Sequence, residues 1–323
     1  MNYQFPSKVK ILYSFIFLSL TVSFCKAQDP AFTQYNGTGV YTNPAFTGSS
    51  GSTRFQAAQR IQWPSIPSSF YTTNLAADFS YEKLPFDFGT FYSYDNAGNG
   101  SLITSNLGIS LARLFKINKS LNIRLGLSAS IASKRLDASL LTFGDQIDSR
   151  YGFIYSTSET ISYPTYHLAL LNAGMVIHAK RFLIGYSAAN INRPSTSFNI
   201  TSSVLPIRHI LQSSYRILQR EGKRTSALYA NLLYIKQQYF YQVLPSISFR
   251  YGKWKLGAGY RYEDALIGML GYTGKRLSVG YSYDYTVSSL TNITGGSHEF
   301  TLGLILGKRN EKRPSMRWTE DLF

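Results

Sequence analysis

The sequences LSVGYSYDY, residues 277–285, and FTLGLIL, residues 300–306, decide the fold class of this chain. In both, apolar or aromatic residues stand at every second position, and the small or polar residues between them are Ser278, Gly280, Ser282, Asp284, Thr301 and Gly303. Because side chains alternate across a strand, each stretch predicts a β-strand with one apolar and one polar face. A soluble sandwich shows the same alternation. The small, glycine-rich polar face and the aromatic residues at the strand ends favour a membrane barrel, apolar outside and wet inside. The alternating residues are Leu277, Val279, Tyr281, Tyr283, Tyr285, Phe300, Leu302, Leu304 and Leu306.

The composition is basic and rich in tyrosine. The 323 residues include 33 Lys and Arg against 17 Asp and Glu, 25 Tyr, four His and one Cys. Cys25 lies in the N-terminal segment, so the mature chain is expected to contain no disulfide and no thiolate metal site. Nucleic acid is not expected as a partner, despite the net charge of +16, because the chain carries an export signal.

Residues 1–27 have the pattern of a signal peptide. Lys8 and Lys10 precede an apolar run over residues 11–24, and Ala27 stands at the expected cleavage point. A transmembrane anchor is the alternative, but the run is shorter than the roughly 20 residues that a spanning helix needs. A lipoprotein attached through Cys25 is a second alternative, which bulky Phe24 disfavours. No later stretch is apolar enough to span as a helix, and closed barrels are the form in which strands satisfy their backbone groups in lipid.

Fourteen strands are predicted within residues 52–307, with twelve or sixteen as alternative totals. An even number is expected of a bacterial single-chain barrel. The alternation is poorest in the sixth and ninth candidates. The predicted fold is therefore all-β: a transmembrane antiparallel β-barrel of the outer membrane. The candidates are Ser52–Trp63, Phe70–Ser80, Phe86–Tyr94, Leu102–Leu114, Leu121–Ala132, Tyr163–His178, Arg181–Ala189, Ile207–Leu218, Thr225–Lys236, Phe240–Arg250, Trp254–Glu263, Ala265–Thr273, Arg276–Tyr285 and His298–Leu306.

The lengths of the connections predict the topology. The long connections, residues 133–162, 190–206 and 286–297, all follow odd-numbered strands, whereas those after even-numbered strands are compact. Outer-membrane barrels have short periplasmic turns and long outer loops. Both termini are therefore expected in the periplasm. Residues 28–51 form an ordered lead-in segment, and residues 308–323 form a basic periplasmic tail.

Charged residues in the strands are expected to face the lumen. A charge that faces lipid at mid-depth costs about 2–4 kcal/mol, so arginines that alternate with apolar residues belong inside. An aspartate in the final hairpin is expected to pair with one of these arginines. The lumen-facing candidates are Arg54, Arg60, Arg124, Arg250, Arg261 and Asp284.

The predicted periplasmic turns are basic. One interpretation is a solvated rim that keeps the chain soluble during export. The other is a docking face for an acidic periplasmic partner. The docking candidates are Lys116, Lys119, Lys180, Arg181, Lys223, Arg224, Lys275 and Arg276.

The sequence contains no pattern that predicts an enzyme. Ser297, His298 and Glu299 are adjacent, but neighbours on a strand point to opposite faces, so they do not form a catalytic triad through one wall. No phosphate-binding loop or metal-ligand spacing is present. We therefore expect no catalytic site, cofactor or metal.

Four stretches carry a resemblance to a known family. They are the start of the mature chain, QDPAFTQY at residues 28–35 with NPAFTG at 43–48; RIQW at 60–63 with Pro64; the segment 172–187, with Asn172, Gly174, Gly185 and Tyr186; and the final hairpin, with GYSYDY at 280–285 and GGSHE at 295–299. In these stretches the chain resembles the PorP/SprF family of type IX secretion system membrane proteins. The basic tail, residues 308–323, is a departure from the family pattern.

The resemblance implies a function that the composition alone does not. It implies a non-enzymatic outer-membrane component of type IX secretion. This component would capture or anchor secreted adhesin-like cargo through the cargo's C-terminal domain, with other type IX or periplasmic components as partners, and would serve gliding motility in gliding bacteria. The alternatives are a passive porin or uptake channel, whose arginine-lined lumen would favour anions, and an outer-membrane lipid-modifying enzyme.

Overall fold

The fourteen predicted strands form one closed antiparallel barrel, which confirms the predicted fold class. The computed structural model describes residues 29–159, 164–196, 198, 203–220, 225–288 and 291–307. Each strand pairs with the next along the chain, and the last pairs with the first from Thr53–Leu306 to Gln62–Ser297. The strands are β1 Thr53–Gln62, β2 Phe70–Phe79, β3 Asp87–Ala97, β4 Leu102–Lys116, β5 Asn122–Leu136, β6 Thr165–His178, β7 Phe182–Ala189, β8 Arg208–Arg220, β9 Ser226–Gln237, β10 Phe240–Tyr251, β11 Trp254–Arg261, β12 Ala265–Thr273, β13 Leu277–Thr286 and β14 Ser297–Leu306.

The largest difference in strand boundaries is in β5, which continues four residues beyond the predicted end at Ala132. Its polar extension is a strand because Lys134 pairs with Tyr166 and Arg135 pairs with Thr165 of β6. The strands β4, β5 and β6 have 15, 15 and 14 residues. They therefore form the tallest part of the wall.

The outer face of the barrel carries an apolar band. Ile109, Leu127 and Ile131 expose 65%, 63% and 67% of their surface, whereas the serines beside them, Ser110 and Ser128, are buried. In an isolated sheet this pattern would place apolar groups in water. In a barrel it places them in lipid, with the polar side chains inside.

The two ends of the barrel differ in their connections. We call the end where β1 begins and β14 ends the turn rim, and the opposite end the loop rim. The turn rim contains the short connections 80–86, 117–121, 179–181, 252–253 and 274–276. The loop rim contains the long connections 137–164, 190–207 and 287–296. Small elements order these loops: the paired segments Ile147–Asp148 and Gly152–Phe153, the paired segments Ser195–Thr196 and Ser203–Val204, the 3-10 turns Ala138–Leu140 and Gly144–Gln146, and the short helix Thr291–Thr294.

Residues 29–52 form a plug inside the barrel. The plug contains a one-turn helix, α1 Gly39–Thr42, followed by the 3-10 turn Pro44–Phe46. Its side chains are as buried as a protein core: Asn43 and Ala45 are 0% exposed, and Gln34 and Val40 are 1% exposed. The sequence predicted an ordered lead-in and a wet lumen. The lead-in is ordered and occupies the interior as a plug, which answers a question that the sequence left open, namely whether the lumen is open or plugged.

Apolar residues of the wall pack against the plug. Phe46 lies in one buried cluster with Val176 and Tyr229, and Tyr35 lies in another with Leu233 and Ile235. Tyr229, Leu233 and Ile235 belong to β9, so the inner face of this strand is as apolar as its outer face. This explains why β9 alternates poorly in the sequence.

Two glycines allow the plug to approach the wall closely. A Cβ atom at Gly126 of β5 would collide with the backbone of Pro44 and Ala45, and one at Gly174 of β6 would collide with the side chain of Asn43. Any larger residue would displace the plug at these positions. The small inner face of β5 and β6 is therefore a groove for the plug.

The described chain begins and ends at opposite ends of the barrel. The Asp29 carboxylate accepts a 2.9 Å hydrogen bond from Nε2 of Gln237, at the loop-rim end of β9, whereas Gly307 follows β14 at the turn rim. The chain thus runs through the barrel from the loop rim to the turn rim before β1 begins. For the described start of the chain, this differs from the expectation of two termini on one side.

Several sequence predictions lie outside the described residues. These are the signal peptide 1–27, the tail 308–323, and the docking candidates Lys223 and Arg224. Over the part of the chain that is described, no helix has the length and apolar character needed to cross a membrane.

Candidate functional site

Four charged residues from four strands meet inside the barrel. Nη2 of Arg60 lies 2.7 Å from Oδ2 of Asp284, and Nη1 of Arg60 lies 3.1 Å from Oε2 of Glu299. Nη2 of Arg261 lies 2.9 Å from the same Asp284 oxygen. All four residues are at most 7% exposed. We call this group, from β1, β11, β13 and β14, the clamp.

The clamp holds the plug at two successive residues. The backbone N–H groups of Thr33 and Gln34 donate to the two oxygens of Glu299, at 2.8 and 2.7 Å. Oγ1 of Thr33 accepts hydrogen bonds from Arg60 at 2.8 Å and from Arg261 at 2.7 Å, and donates to Asp284 at 3.0 Å. The two arginines and two carboxylates neutralise one another, and the plug supplies the N–H groups and the hydroxyl that complete the hydrogen bonds of these buried charges.

A second ion pair fixes the end of the plug nearest the turn rim. Nε of Arg54 lies 2.9 Å from Oδ1 of Asp78. The backbone N–H of Gly48 donates to Oδ2 of Asp78 at 2.6 Å, and Arg54 also donates to the Phe46 carbonyl at 3.2 Å. The pair therefore binds wall and plug together.

A third ion pair acts in the same way on β3 and β5. Arg124 lies 2.7 Å from Oδ2 of Asp87. Its Nε donates to the Ala45 carbonyl at 2.9 Å, and its Nη2 donates to the Thr47 carbonyl. Arginine suits this position, because one planar group bonds a carboxylate and two plug carbonyls at once.

An amide completes the attachment. Nδ2 of Asn43 donates to the carbonyls of Met175 in β6 and Tyr186 in β7, at 3.3 and 3.2 Å. Its Oδ1 accepts from the backbone N–H of Ala45 at 2.9 Å, which caps the 3-10 turn. Asn43 therefore joins the plug backbone to two neighbouring strands.

The structure gives the predicted lumen residues different environments. Arg54, Arg60, Arg124, Arg261 and Asp284 are buried and contact either the plug or each other. The sixth candidate, Arg250, is partly exposed near the turn rim, where its Nε donates to the Gly252 carbonyl at 2.8 Å. The four buried arginines are paired with carboxylates and do not line an open path.

Sequence reasoning missed most of the partners of these arginines. It assigned no role inside the barrel to Asp78, Asp87 or Glu299, and it missed Arg208, which donates to the Pro30 carbonyl of the plug at 3.1 Å. A signal was present for Asp78, because Asn74 stands four residues before it, in the same inward row of β2.

The side chains of Ser297, His298 and Glu299 point alternately to the inner and outer faces of the wall. Ser297 and Glu299 are buried inside, whereas His298 faces outward, where its Nδ1 lies 2.9 Å from the Tyr281 hydroxyl. Among the described residues there is no group of His, Cys, Asp and Glu that could hold a metal ion.

The described docking candidates are exposed on turn-rim connections or strand ends. The six residues Lys116, Lys119, Lys180, Arg181, Lys275 and Arg276 are all solvent-exposed. They form part of a basic edge on the side of the barrel opposite the long loops.

A cavity of about 520 Å³ lies at the loop rim. We call it the vestibule. Its floor includes the first described plug residues, Asp29 to Ala31, and its wall includes Arg60 and Arg261 of the clamp. Aromatic residues surround it at the strand ends, among them Trp63 and Phe240. The vestibule thus lies directly above the clamp.

These features define the class: a β-barrel membrane protein of the outer-membrane type, filled by its own N-terminal segment. Several solved structures are similar at low identity. The toluene transporter TbuX of Ralstonia pickettii is 12% identical, with a TM-score of 0.49, over 84% of this chain and 94% of that chain. Omp33 of Acinetobacter baumannii is 8% identical, with a TM-score of 0.43, over 79% and 98% of the two chains.

The sequence comparison is more specific. The model of the family described as type IX secretion system membrane protein PorP/SprF matches residues 24–304. The chain therefore belongs to the PorP/SprF family of type IX secretion membrane proteins, as the resemblance indicated. The search of curated proteins found no match.

Removing the Glu299 carboxylate from the clamp should destabilise the protein strongly. The substitution Glu299→Ala leaves Arg60 without one of its buried ionic partners and two plug N–H groups without acceptors. We expect a loss of about 3–5 kcal/mol in the free energy of unfolding, measured by urea denaturation of the lipid-reconstituted protein. The matched control is Glu159→Ala in an exposed loop, which should change stability by less than about 0.5 kcal/mol. Equal effects of the two substitutions would contradict the clamp.

Proposed function

We propose that this barrel captures or anchors secreted adhesin-type cargo at the cell surface, and that it acts as a closed platform and not as a conduit. The observation that carries the proposal is the filled interior. An exported chain has no route past a plug that is bonded to β1, β11, β13 and β14 by the clamp. The working surface is then the loop rim.

The family supports the identity of the partner. The chain belongs to a family of type IX secretion membrane proteins, so its cargo is proposed to be a secreted adhesin with a type IX C-terminal domain. Other type IX or periplasmic components are proposed as further partners. In a gliding cell the same anchoring would support motility.

The orientation that this function needs is long loops outside and short turns in the periplasm. The three long connections all lie at the loop rim, whereas the described connections of the turn rim are short, as in outer-membrane barrels. In this orientation the tail after Gly307 is periplasmic. The described start of the chain, at Asp29, lies on the side that faces outward.

A hairpin at the loop rim offers a contact surface. Tyr151, Phe153 and Tyr155 expose 68%, 63% and 54% of their surface. Exposed apolar patches of this kind mark interaction sites in soluble regions. The patch suits the capture of a large protein.

The hairpin is held in shape by its own carboxylate. The backbone N–H groups of Arg150 and Tyr151 donate to Asp148 at 2.8 and 2.9 Å, and the Tyr155 hydroxyl donates to it at 3.0 Å. These bonds lower the pKa of the Asp148 carboxyl, with the two backbone groups as the main causes. A patch that is already ordered loses less conformational entropy on binding than a flexible one.

The basic edge at the turn rim is proposed as a docking face for an acidic periplasmic partner. Its alternative, a solvated rim that aids export, predicts no partner. The exposed lysines and arginines at Lys116, Lys180 and Arg276 have the charge that such a partner needs.

A passive porin or uptake channel is the alternative function. It requires the plug to leave the barrel, which would break the hydrogen bonds between the clamp and Thr33 and Gln34 of the plug. A steady current through the intact protein would favour this alternative.

The first test removes the cargo surface. A strain without the barrel should release or degrade its adhesin-type cargo, measured by surface immunofluorescence and by cargo in the medium. The triple variant Tyr151→Ser, Phe153→Ser, Tyr155→Ser should lower surface cargo about tenfold, as expected when roughly 1.4 kcal/mol of contact is lost. Tyr239→Ser, at an equally exposed tyrosine in a short loop-rim connection, is the control and should retain cargo. Normal surface cargo in the deletion strain would contradict the proposal.

The second test concerns the turn rim. Each exposed charge pair is worth only about 0–1 kcal/mol, so the whole edge has to be changed together. Replacing the basic edge residues with glutamine should weaken co-purification of periplasmic partners. The loss should be smaller at high salt than at low salt, because salt already screens the charges. A correctly inserted variant that keeps its partners at every ionic strength would eliminate the docking face. The residues to change are Lys116, Lys119, Lys180, Arg181, Lys223, Arg224, Lys275 and Arg276.

A further inference from the structure

We propose that the vestibule is a binding site for a polypeptide segment of the exported partner that carries basic side chains beside aromatic or apolar ones. This inference rests on the proposed function, because it assumes that the loop rim faces the cargo. It adds a specific site and a specific ligand chemistry to that function.

The vestibule has the size and position of a ligand site. Its volume of about 520 Å³ lies within the roughly 300–1,000 Å³ typical of ligand pockets. It is lined by loop-rim ends of strands from both sides of the barrel, including Gln62, Leu102 and Phe240. A segment arriving from the long loops would enter it without crossing the wall.

The unbalanced charge of the vestibule is negative. Its charged lining residues are Asp29, Asp95, Asp264, Arg60 and Arg261. The two arginines are already neutralised within the clamp by the carboxylates beneath them, at 2.7–3.1 Å. Lys134 lies near Asp95 and Arg208 lies beside the plug at Pro30, so the region as a whole keeps an excess of one negative charge to meet a positive ligand.

These carboxylates keep part of their capacity for a ligand. Oδ1 of Asp95 accepts from the Thr72 hydroxyl at 2.6 Å, and the side chain of Asp264, which pairs with Arg261, is 35% exposed. Lysine or arginine of a bound segment would pair with them in a partly water-excluded site, where such contacts are stronger than on an open surface.

Aromatic side chains provide the second element of recognition. Trp63 and Phe70 contact each other edge to face at 5.6 Å, and Phe240, in the same row of β10 as the buried Gln242, also lines the cavity. Aromatic faces attract the cationic groups of lysine and arginine and also bury apolar side chains.

Trp63 has a backbone conformation that is unfavourable for a residue with a bulky side chain. Its φ angle is +57°, the left-handed region that a bulky residue rarely adopts. Its N–H donates to the Gly296 carbonyl at 2.9 Å, which ties it to the connection before β14. Such strain persists where surrounding structure enforces it and is concentrated at functional sites.

An unsatisfied amide points to a polar ligand as well. Gln242 lines the vestibule and is 8% exposed. Its Nε2 has no hydrogen-bond partner among the described residues. A small rotation of this side chain would let it donate to a peptide carbonyl, which a polypeptide supplies at every residue.

The vestibule shares residues with the clamp and with the plug. Arg60 and Arg261 line the vestibule and also donate to Thr33 of the plug. Asp29 to Ala31 form part of the floor, and Ala31 stands two residues before Thr33 in the chain. A bound segment would therefore rest on the plug and the clamp, so that occupancy and plug attachment are coupled.

The test uses the full-length barrel in lipid nanodiscs and a fluorescent, amidated pentapeptide of alternating arginine and tryptophan. Fluorescence anisotropy should show saturable binding that weakens at high salt. The same peptide with glutamate in place of arginine should not bind. The double variant Asp95→Asn, Asp264→Asn should bind the basic peptide about tenfold more weakly.

A matched double variant controls for net charge. Asp137→Asn, Glu159→Gln removes two carboxylates from the loop-rim connection 137–164, outside the vestibule lining, and should bind like the wild type. Empty nanodiscs correct for adsorption to lipid. Asp264 pairs with Arg261, so Asp264→Asn could also disturb the clamp. The single variant Asp95→Asn avoids this effect and should also bind the basic peptide more weakly than the wild type. Circular dichroism and urea denaturation check that this variant is folded. Equal affinity for the basic and acidic peptides, or equal affinity of the two double variants, would overturn the proposal.

Cell experiments separate this inference from the proposed function. If deletion of the barrel leaves cargo on the surface, the proposed function fails. If deletion removes the cargo but the Asp95→Asn, Asp264→Asn strain displays it normally, the platform stands and the vestibule site fails. Loss of cargo in that strain at normal barrel levels, with the matched control unaffected, supports the vestibule.

Discussion

The carboxylate of Glu299 is the point on which the interior depends. It accepts two successive N–H groups of the plug and pairs with Arg60 at 3.1 Å. Arg60 and Glu299 are also direct partners across the β1–β14 seam that closes the barrel. One interaction therefore joins the first strand, the last strand and the plug. Because a buried charge without its partner is costly, barrel closure and plug insertion favour each other.

The inner surface of the wall makes sense only with the plug in place. Small residues at Gly126 and Gly174 admit the plug backbone, while Tyr229 and Leu233 bury apolar plug side chains. A water-filled channel would need none of these features. Paired arginines likewise satisfy plug carbonyls and do not present free positive charge, which removes the basis for an anion-selective lumen.

The strands could be predicted from the sequence because period-two alternation is a local property. It identified β13 and β14 directly, and also the regular part of β5. It failed at the end of β5, where Lys134 and Arg135 become strand only through pairing with β6. It was weak in β9, where both faces are apolar for different reasons: lipid outside and the plug inside.

The candidate site could be predicted only in part. Alternation indicated that Arg60 and Arg124 point inward, but not that Glu299 and Asp87 meet them, because contacts between strands depend on register. The plug has no periodic pattern, and its conformation is set by hydrogen bonds to residues as far away as Glu299, 266 positions along the chain from Thr33. Such contacts have no local signal in a single sequence.

The central claim is that the plug closes the barrel and leaves the loop rim as the working surface. Ion conductance of the intact protein in planar lipid bilayers tests it most directly, with a variant lacking residues 29–51 as the open reference. The account predicts no steady current through the intact protein and clear channel steps for the variant. A steady current through the intact protein, equal in size to that of the variant, would contradict it.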